Sequence, residues 1–242
     1  MRFIAFAACA LCLLGLLGHV AAYSDYSYSA LAQVNGDGTA KITEKSVFLF
    51  ETDNERTEFE NNLNLGESTI SQWQKFSKNV KFHFRGGIGN VRITAKKEFT
   101  VGFNAGTVII EYDIGTPIFN ATKEGSRKTV YTLEPEALGF EVTSARETVL
   151  GSNMQLSFEL PRDSEIIKIA PLPDTTKERT LSWNGPIARK WELQYSREIP
   201  LSQEVSEFFT QSYGEALAFL PLIVLAGLAL IVAFILIKFK HK

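Results

Sequence analysis

Histidine and cysteine carry much of the nucleophilic and metal chemistry of proteins, and this chain of 242 residues has three histidines and two cysteines. Cys9 and Cys12 lie in the apolar N-terminal segment, and His83 is the one histidine between that segment and the apolar C-terminal segment. A zinc site needs a cluster of such ligands. We therefore predict no metal site and no bound cofactor.

His83 is also the one candidate for the base of a Ser-His-Asp triad. The sequence has no Gly-x-Ser-x-Gly elbow and no Ser-x-x-Lys motif, which are common settings for a reactive serine. His83 lies in a predicted strand, residues 80–85, in which apolar and polar residues alternate. It shares the polar face of this strand with Lys81 and Arg85. This pattern predicts an ordinary surface histidine, no catalytic residue and no enzymatic activity.

Three other polar motifs are better explained by structure than by chemistry. The segment Asn35-Gly36-Asp37-Gly38 lacks the ligand spacing of a calcium loop and is typical of a hairpin turn. The glycine-rich residues 85–90 fall short of a dinucleotide fingerprint and are predicted to form a turn as well. Glu55, Glu58 and Glu60 are predicted to lie on the solvated face of a helix.

The two most apolar stretches lie at the ends of the chain. Residues 1–22 combine an N-terminal Arg2, an apolar run and small residues before Tyr23, which predicts a signal peptide cleaved after residue 22. Residues 216–237 contain no charged side chain, and 22 residues at about 1.5 Å each span a bilayer as one helix. The basic tail, residues 238–242, places the C-terminus in the cytoplasm by the positive-inside rule.

These segments predict a single-pass membrane protein of the cell membrane with an extracytoplasmic part and a juxtamembrane stalk at residues 201–215. Lys238 and Lys240 also match a dilysine retrieval signal, so the alternative location is the endoplasmic reticulum membrane. In an extracytoplasmic chain, the sequon at Asn120 predicts N-glycosylation. Residues 23–213 carry 21 basic and 26 acidic side chains, and a charge of −5 argues against nucleic acid as a partner.

All eight prolines follow residue 116, which predicts a module boundary near Gly115-Thr116-Pro117. Residues 23–115 are predicted to form an α+β module with a β-hairpin, a helical hairpin after Thr52 and Ser68, and further antiparallel strands. Residues 116–200 are predicted to form a β-sandwich-like module. The predicted strands after residue 86 are 90–95, 97–103, 106–114, 129–133, 154–160, 166–169, 179–183 and 189–196. The expected fold class is therefore α+β to mainly β, followed by one C-terminal transmembrane helix.

Two segments of the second module carry a resemblance to a known group of proteins. The run LPRDSEIIKIAP at residues 160–171, followed by LSWNGP at residues 181–186, resembles uncharacterised archaeal surface proteins. The resemblance implies a β-rich ectodomain with one C-terminal membrane helix, and it implies no activity.

The leading hypothesis from these observations is a membrane-anchored extracytoplasmic protein that binds or scaffolds other components of the cell envelope, with a protein or glycan partner. One alternative is an accessory subunit of a multi-helix membrane complex, packed through the small residues of its span. These residues are Ala226, Gly227, Ala229 and Ala233. The other alternative is a hydrolase with an unrecognised site.

Overall fold

The computed structural model describes residues 24–65, 69–100, 103–125 and 127–198, and most of this part of the chain is β-strand. The first strands and helices are β1 (Ser24–Val34), β2 (Ala40–Leu49), α1 (Asp53–Leu63), α2 (Ile70–Gln74), β3 (Ile88–Thr100) and β4 (Phe103–Ile114). They are followed by β5 (Phe119–Glu124), β6 (Lys128–Leu133), a 3₁₀ turn (Pro135–Ala137), β7 (Glu141–Val142), β8 (Thr148–Leu150) and β9 (Met154–Glu159). The last strands are β10 (Ser164–Ala170), β11 (Thr175–Lys177), β12 (Thr180–Asn184), β13 (Ile187–Arg189) and β14 (Glu192–Glu198).

The predicted N-terminal hairpin is confirmed. Strands β1 and β2 pair antiparallel, and Ala30 lies opposite Glu44. Oδ1 of Asp37 accepts hydrogen bonds from the backbone N–H and the hydroxyl of Thr39, at 3.0 and 2.6 Å. Gly38 adopts a φ of 86°, which favours glycine. The Asn35-Gly36-Asp37-Gly38 segment is therefore a turn whose aspartate is engaged within the turn itself.

Strands from both halves of the chain share one sheet. Its order is β11-β12-β9-β1-β2-β4-β3, and β1 pairs with β9 in parallel. The predicted boundary near residue 115 is therefore corrected, because β1 and β9 lie on either side of it in sequence and are neighbours in the sheet. The described residues up to Ala121, together with those from Tyr131 to Tyr195, form one compact unit. The other sheets have the orders β10-β14-β6-β5 and β13-β8-β7.

The first predicted helix has the predicted N-terminal cap. The Thr52 hydroxyl accepts from the backbone N–H of Glu55 at 3.2 Å, and the Glu55 carboxylate accepts from the backbone N–H of Thr52 at 3.2 Å. Phe59 on α1 packs against Trp73 on α2 and against Phe48 on β2, with ring centroids 5.1 and 5.4 Å apart. The helical pair therefore covers the aromatic end of the large sheet.

The second helix is shorter than its apolar spacing indicates. It begins after Thr69 and ends at Gln74, where the backbone N–H of Phe76 donates to the carbonyl of Trp73 at 3.0 Å in a tighter, three-residue turn. Phe76 and Val80 are buried beyond the helix end. Ser68, the predicted cap, lies outside the described residues.

The predicted strand at residues 80–85 is wrong. This segment makes a single β-bridge, between Phe84 and Leu138. The backbone N–H of Arg85 donates to the Ala137 carbonyl, and that of Gly139 donates to the His83 carbonyl, both at 2.7 Å. Both Phe84 and His83 are buried, so the two-fold alternation of apolar and polar residues does not separate a core face from a solvent face here.

Most strands predicted after residue 86 coincide with observed strands. The runs 90–95 and 97–103 merge into the single long strand β3 and the start of β4, while 129–133, 154–160 and 166–169 match β6, β9 and β10. The predicted mainly antiparallel β architecture with a helical pair is confirmed for the described residues.

No helix within the described ranges 24–65, 69–100, 103–125 and 127–198 is long and apolar enough to cross a membrane. The predicted signal peptide, stalk, transmembrane helix and tail lie outside those ranges, as do Ala226, Gly227, Ala229 and Ala233. These assignments stay predictions.

Candidate functional site

A carboxylate is buried in the middle of the large sheet. Strand β2 alternates buried and partly exposed residues, and its buried face carries Ala40, Ile42, Glu44, Ser46 and Phe48. The neighbouring strands β1 and β4 place Tyr28 and Tyr112 on the same side. His83 comes from the segment between α2 and β3. Glu44, His83 and Tyr112 are each 1% exposed and Tyr28 is 2% exposed.

Four donors surround the Glu44 carboxylate. Oε1 accepts from the backbone N–H of His83 at 2.8 Å and from the Tyr112 hydroxyl. Oε2 accepts from the Tyr28 hydroxyl and from Nδ1 of His83, both at 2.8 Å. A carboxylate is costly to bury unless its lone pairs are satisfied, and this set of donors suits the ionised form. We call Tyr28, Glu44, His83 and Tyr112 the Glu44 cluster.

The two tyrosines of the cluster are poor acids. Burial raises the pKa of Tyr28 well above its usual value, and the charge and hydrogen bond of Glu44 raise this pKa further. The pKa of Tyr112 is raised by the same causes in the same order. Both hydroxyls therefore keep their protons at neutral pH and act as donors to the carboxylate.

The cluster fixes the orientation of the His83 ring. Nδ1 lies 2.8 Å from Oε2 of Glu44 and 2.9 Å from the Tyr28 hydroxyl. Because an ionised carboxylate only accepts, we assign a proton to Nδ1, which in the neutral imidazole leaves Nε2 as a hydrogen-bond acceptor. Within the described residues Nε2 has no hydrogen-bond partner. Phe140 stacks on the His83 ring, with centroids 4.9 Å apart and an interplanar angle of 30°. The Tyr28 ring packs against it at a tilt of 52°, with centroids 4.6 Å apart. The side chain is therefore held by both hydrogen bonding and packing.

His83 is one of the residues that line a cavity of about 340 Å³, the His83 cavity. Its other walls mix apolar side chains with charged and amide groups. They include Asp25, Lys78, Asn79, Phe140, Ser152 and Asn153. Nδ2 of Asn79 donates to Oδ2 of Asp25 at 3.1 Å, which joins two of the polar wall residues.

The prediction of a surface histidine is wrong, because Glu44 supplies a buried partner for His83 that comes from a different part of the chain. The informative signal in the sequence is Glu44 itself, a carboxylate on the apolar face of an alternating strand. No group of three or more His, Cys, Asp or Glu side chains within the described residues has the geometry to hold a metal ion.

The other residues singled out in the sequence lie away from the Glu44 cluster. Glu55 was predicted to lie on the solvated face of the helix, but it is buried, because its carboxylate accepts from the backbone N–H of Thr52, the N-terminal cap. Glu58 pairs with Lys75 at 2.6 Å, and Glu60 pairs with Lys97. Asn120 is exposed on β5, and its amide donates to Glu134. Its glycosylation stays a prediction.

No family model matches the sequence, and no curated protein matches it. Among solved structures, the NMR structure of the folded domain of LppM from Mycobacterium tuberculosis is similar with a TM-score of 0.33 and 7% sequence identity. The match covers 73% of this chain and 94% of that domain. A likeness at this level carries no functional argument.

Proposed function

We propose that this chain is an extracytoplasmic binding protein of the cell envelope, held at the membrane by its C-terminal segment, and that the His83 cavity takes its ligand. The envelope location is supported by the apolar segments at the two ends of the sequence and by the resemblance to archaeal surface proteins. The main observation in support of this binding site is the Glu44 carboxylate, whose oxygens accept four hydrogen bonds. Two of these bonds come from His83 and hold its side chain in one orientation at a cavity wall.

The shape and polarity of the His83 cavity favour a small polar ligand. Ligand cavities span roughly 300–1,000 Å³, so this cavity at about 340 Å³ fits one or two sugar residues at the end of a glycan. Asp25, Asn79 and Asn153 offer donors and acceptors to hydroxyl groups, and Nε2 of His83 offers a further acceptor. Of the two partner classes that the sequence favours, a glycan therefore suits the cavity better than a protein surface.

A glycan array probed with the full chain in detergent tests this proposal. We expect binding to a defined subset of glycans, and we expect His83→Gln and Lys78→Gln to weaken it. Lys78 is an exposed cavity residue, so its replacement leaves the Glu44 cluster intact even if His83→Gln lowers stability. Lys177→Gln, on the exposed strand β11, is the matched control. Binding that neither cavity variant alters would contradict the proposal.

One observation favours a second function, hydrolysis of an ester or amide. Ser152 lines the same cavity as His83, and a carboxylate-oriented histidine is a suitable general base for a serine nucleophile. Covalent labelling of Ser152 by a fluorophosphonate, lost in Ser152→Ala and in His83→Gln, would support this function. Glycan binding that persists in Ser152→Ala without any labelling of the wild type would leave the binding function alone.

A further inference from the structure

A second and larger cavity, of about 590 Å³, shares no lining residue with the His83 cavity. Its exposed lining residues include Arg85, Arg146 and Lys190. Its buried lining residues are Leu138, Thr148 and Trp191. We call it the cationic cavity. It has basic groups in contact with water and a largely apolar floor.

The charges of the cationic cavity are unbalanced. Within the described residues, Arg85, Arg146 and Lys190 form no ion pair with any acid. Of the two acids in the lining, Glu192 already pairs with Lys168, at 2.7 Å, and Glu136 is exposed. Three cations thus face one unpaired carboxylate. Three basic side chains that line one cavity and have little compensation from acids favour an anionic ligand.

The backbone on which two of these cations stand is well fixed. The N–H of Arg85 donates to the Ala137 carbonyl at 2.7 Å, next to the Phe84 bridge. Arg146 closes a turn by donating its N–H to the Thr143 carbonyl at 2.9 Å, and it has a φ of 60°. This left-handed conformation is uncommon for arginine and is held by the turn. The backbone positions from which the two arginine side chains extend are therefore fixed by hydrogen bonds.

The floor of the cationic cavity includes Trp191, whose indole N–H is a hydrogen-bond donor. Trp191 is 3% exposed, and its indole N–H has no hydrogen-bond partner within the described residues. Trp183, which packs against it with centroids 5.0 Å apart, donates its own N–H to the Pro171 carbonyl at 2.9 Å. Leu138 and the 62% exposed Val142 extend the apolar lining. An apolar body is thus accommodated beside the cations.

We propose that the cationic cavity binds a small organic anion, a phosphate or carboxylate group attached to an apolar body. The guanidinium groups of Arg85 and Arg146 take the anionic group, because a planar fork of N–H donors suits both phosphate and carboxylate oxygens. Lys190 adds a third positive charge, and the apolar body lies along Leu138, Val142 and Trp191. This site is distinct from the proposed glycan site and does not depend on it.

Calorimetric titration of the full chain in detergent tests the site with four probes: phenyl phosphate, benzoate, inorganic phosphate and benzyl alcohol. We expect phenyl phosphate or benzoate to bind more tightly than inorganic phosphate, which lacks the apolar body, and more tightly than benzyl alcohol, which lacks the charge. The comparison of phenyl phosphate with benzoate identifies the preferred anionic group. Binding should weaken at high ionic strength, because exposed charges are screened by salt.

Variants locate the binding on the protein. Arg85→Gln and Arg146→Gln together should weaken the binding of the preferred probe about tenfold, since both cations lie on the exposed rim. Lys177→Gln removes an exposed cation outside the cavity and should leave the affinity unchanged. Lys78→Gln, which lies in the His83 cavity and leaves the Glu44 cluster intact, should also leave it unchanged, and this separates the two sites. Absence of binding by both aromatic anions, or binding that the double variant does not weaken, would overturn the proposal.

Discussion

Oε2 of Glu44 lies 2.8 Å from Nδ1 of His83, although the two residues are 39 positions apart in the sequence. The same carboxylate accepts from the His83 backbone N–H, also at 2.8 Å. Glu44 therefore binds both the backbone N–H and the ring Nδ1 of His83. This contact ties the segment between α2 and β3 to the central strand β2. It makes Glu44 a structural anchor as well as the group that orients His83.

Replacing Glu44 by glutamine is expected to destabilise the fold by about 2–4 kcal/mol, because the amide keeps one acceptor oxygen and directs its own donors at buried donors. Urea unfolding of the full chain in detergent, followed by tryptophan fluorescence, measures the change. The matched control is Glu111→Gln on β4, where the side chain is half-buried and the expected change is within about 0.5 kcal/mol. Equal effects of the two substitutions would contradict a special role for Glu44.

Alkaline pH is expected to unfold the protein through Tyr28 and Tyr112. Folding raises the pKa of both hydroxyls, so their contribution to stability is complete below the pKa of a tyrosine in the unfolded chain, about 10, and is lost as the pH rises above it. The free energy of unfolding should fall by about 1.4 kcal/mol per pH unit for each of the two tyrosines.

Urea titrations at several pH values between neutrality and strong alkali measure this slope. The double variant Tyr28→Phe, Tyr112→Phe should be less stable at neutral pH, because Glu44 loses two donors, and should lose less stability above pH about 10. Tyr26→Phe, at a residue 58% exposed, is the control and should retain the steep alkaline loss. A wild-type curve as shallow as that of the double variant would refute the assignment.

Alanine at Gly106 is expected to destabilise the aromatic end of the sheet. A Cβ at this position would lie 2.5 Å from the ring of Phe48, 2.9 Å from that of Phe50 and 3.0 Å from that of Phe59. These rings pack against one another, so the expected cost of overpacking is about 1–3 kcal/mol. At Gly89, on β3, a Cβ meets nothing within 4 Å, and Gly89→Ala should be close to neutral in urea unfolding. A neutral Gly106→Ala would show that the cluster repacks easily.

Residues 23–213, expressed without the predicted transmembrane helix, are expected to fold as a soluble domain. Residues 24–121 and 131–195 form one compact unit, and the only cysteines of the chain, Cys9 and Cys12, lie before residue 23, so no disulfide is needed. Thermal unfolding under reducing conditions should be cooperative. Aggregation without a cooperative transition would instead favour the accessory-subunit hypothesis.

Local structure in this protein follows closely from local sequence. The Asn35-Gly36-Asp37-Gly38 turn and the Thr52–Glu55 capping box form as predicted, because the hydrogen bonds that stabilise them join residues two to four positions apart. Two strands of the second half, β9 and β14, are also found where apolar and polar residues alternate in the sequence, and this period is typical of a half-buried strand.

Long-range pairing was decided by the tertiary structure alone. The sequence places β1 and β9 in different modules, yet they are parallel neighbours in one sheet, and no local pattern specifies which distant strand a given strand joins. The same holds for His83. Its polar neighbours in sequence predict a surface position, but the burial of Glu44 on β2 demands donors, and folding supplies them from Tyr28, His83 and Tyr112. The sequence by itself determined that His83 is the one histidine between the two apolar segments. The packing of distant segments determined that this histidine is buried, that Glu44 orients its ring and that it lies at a cavity wall.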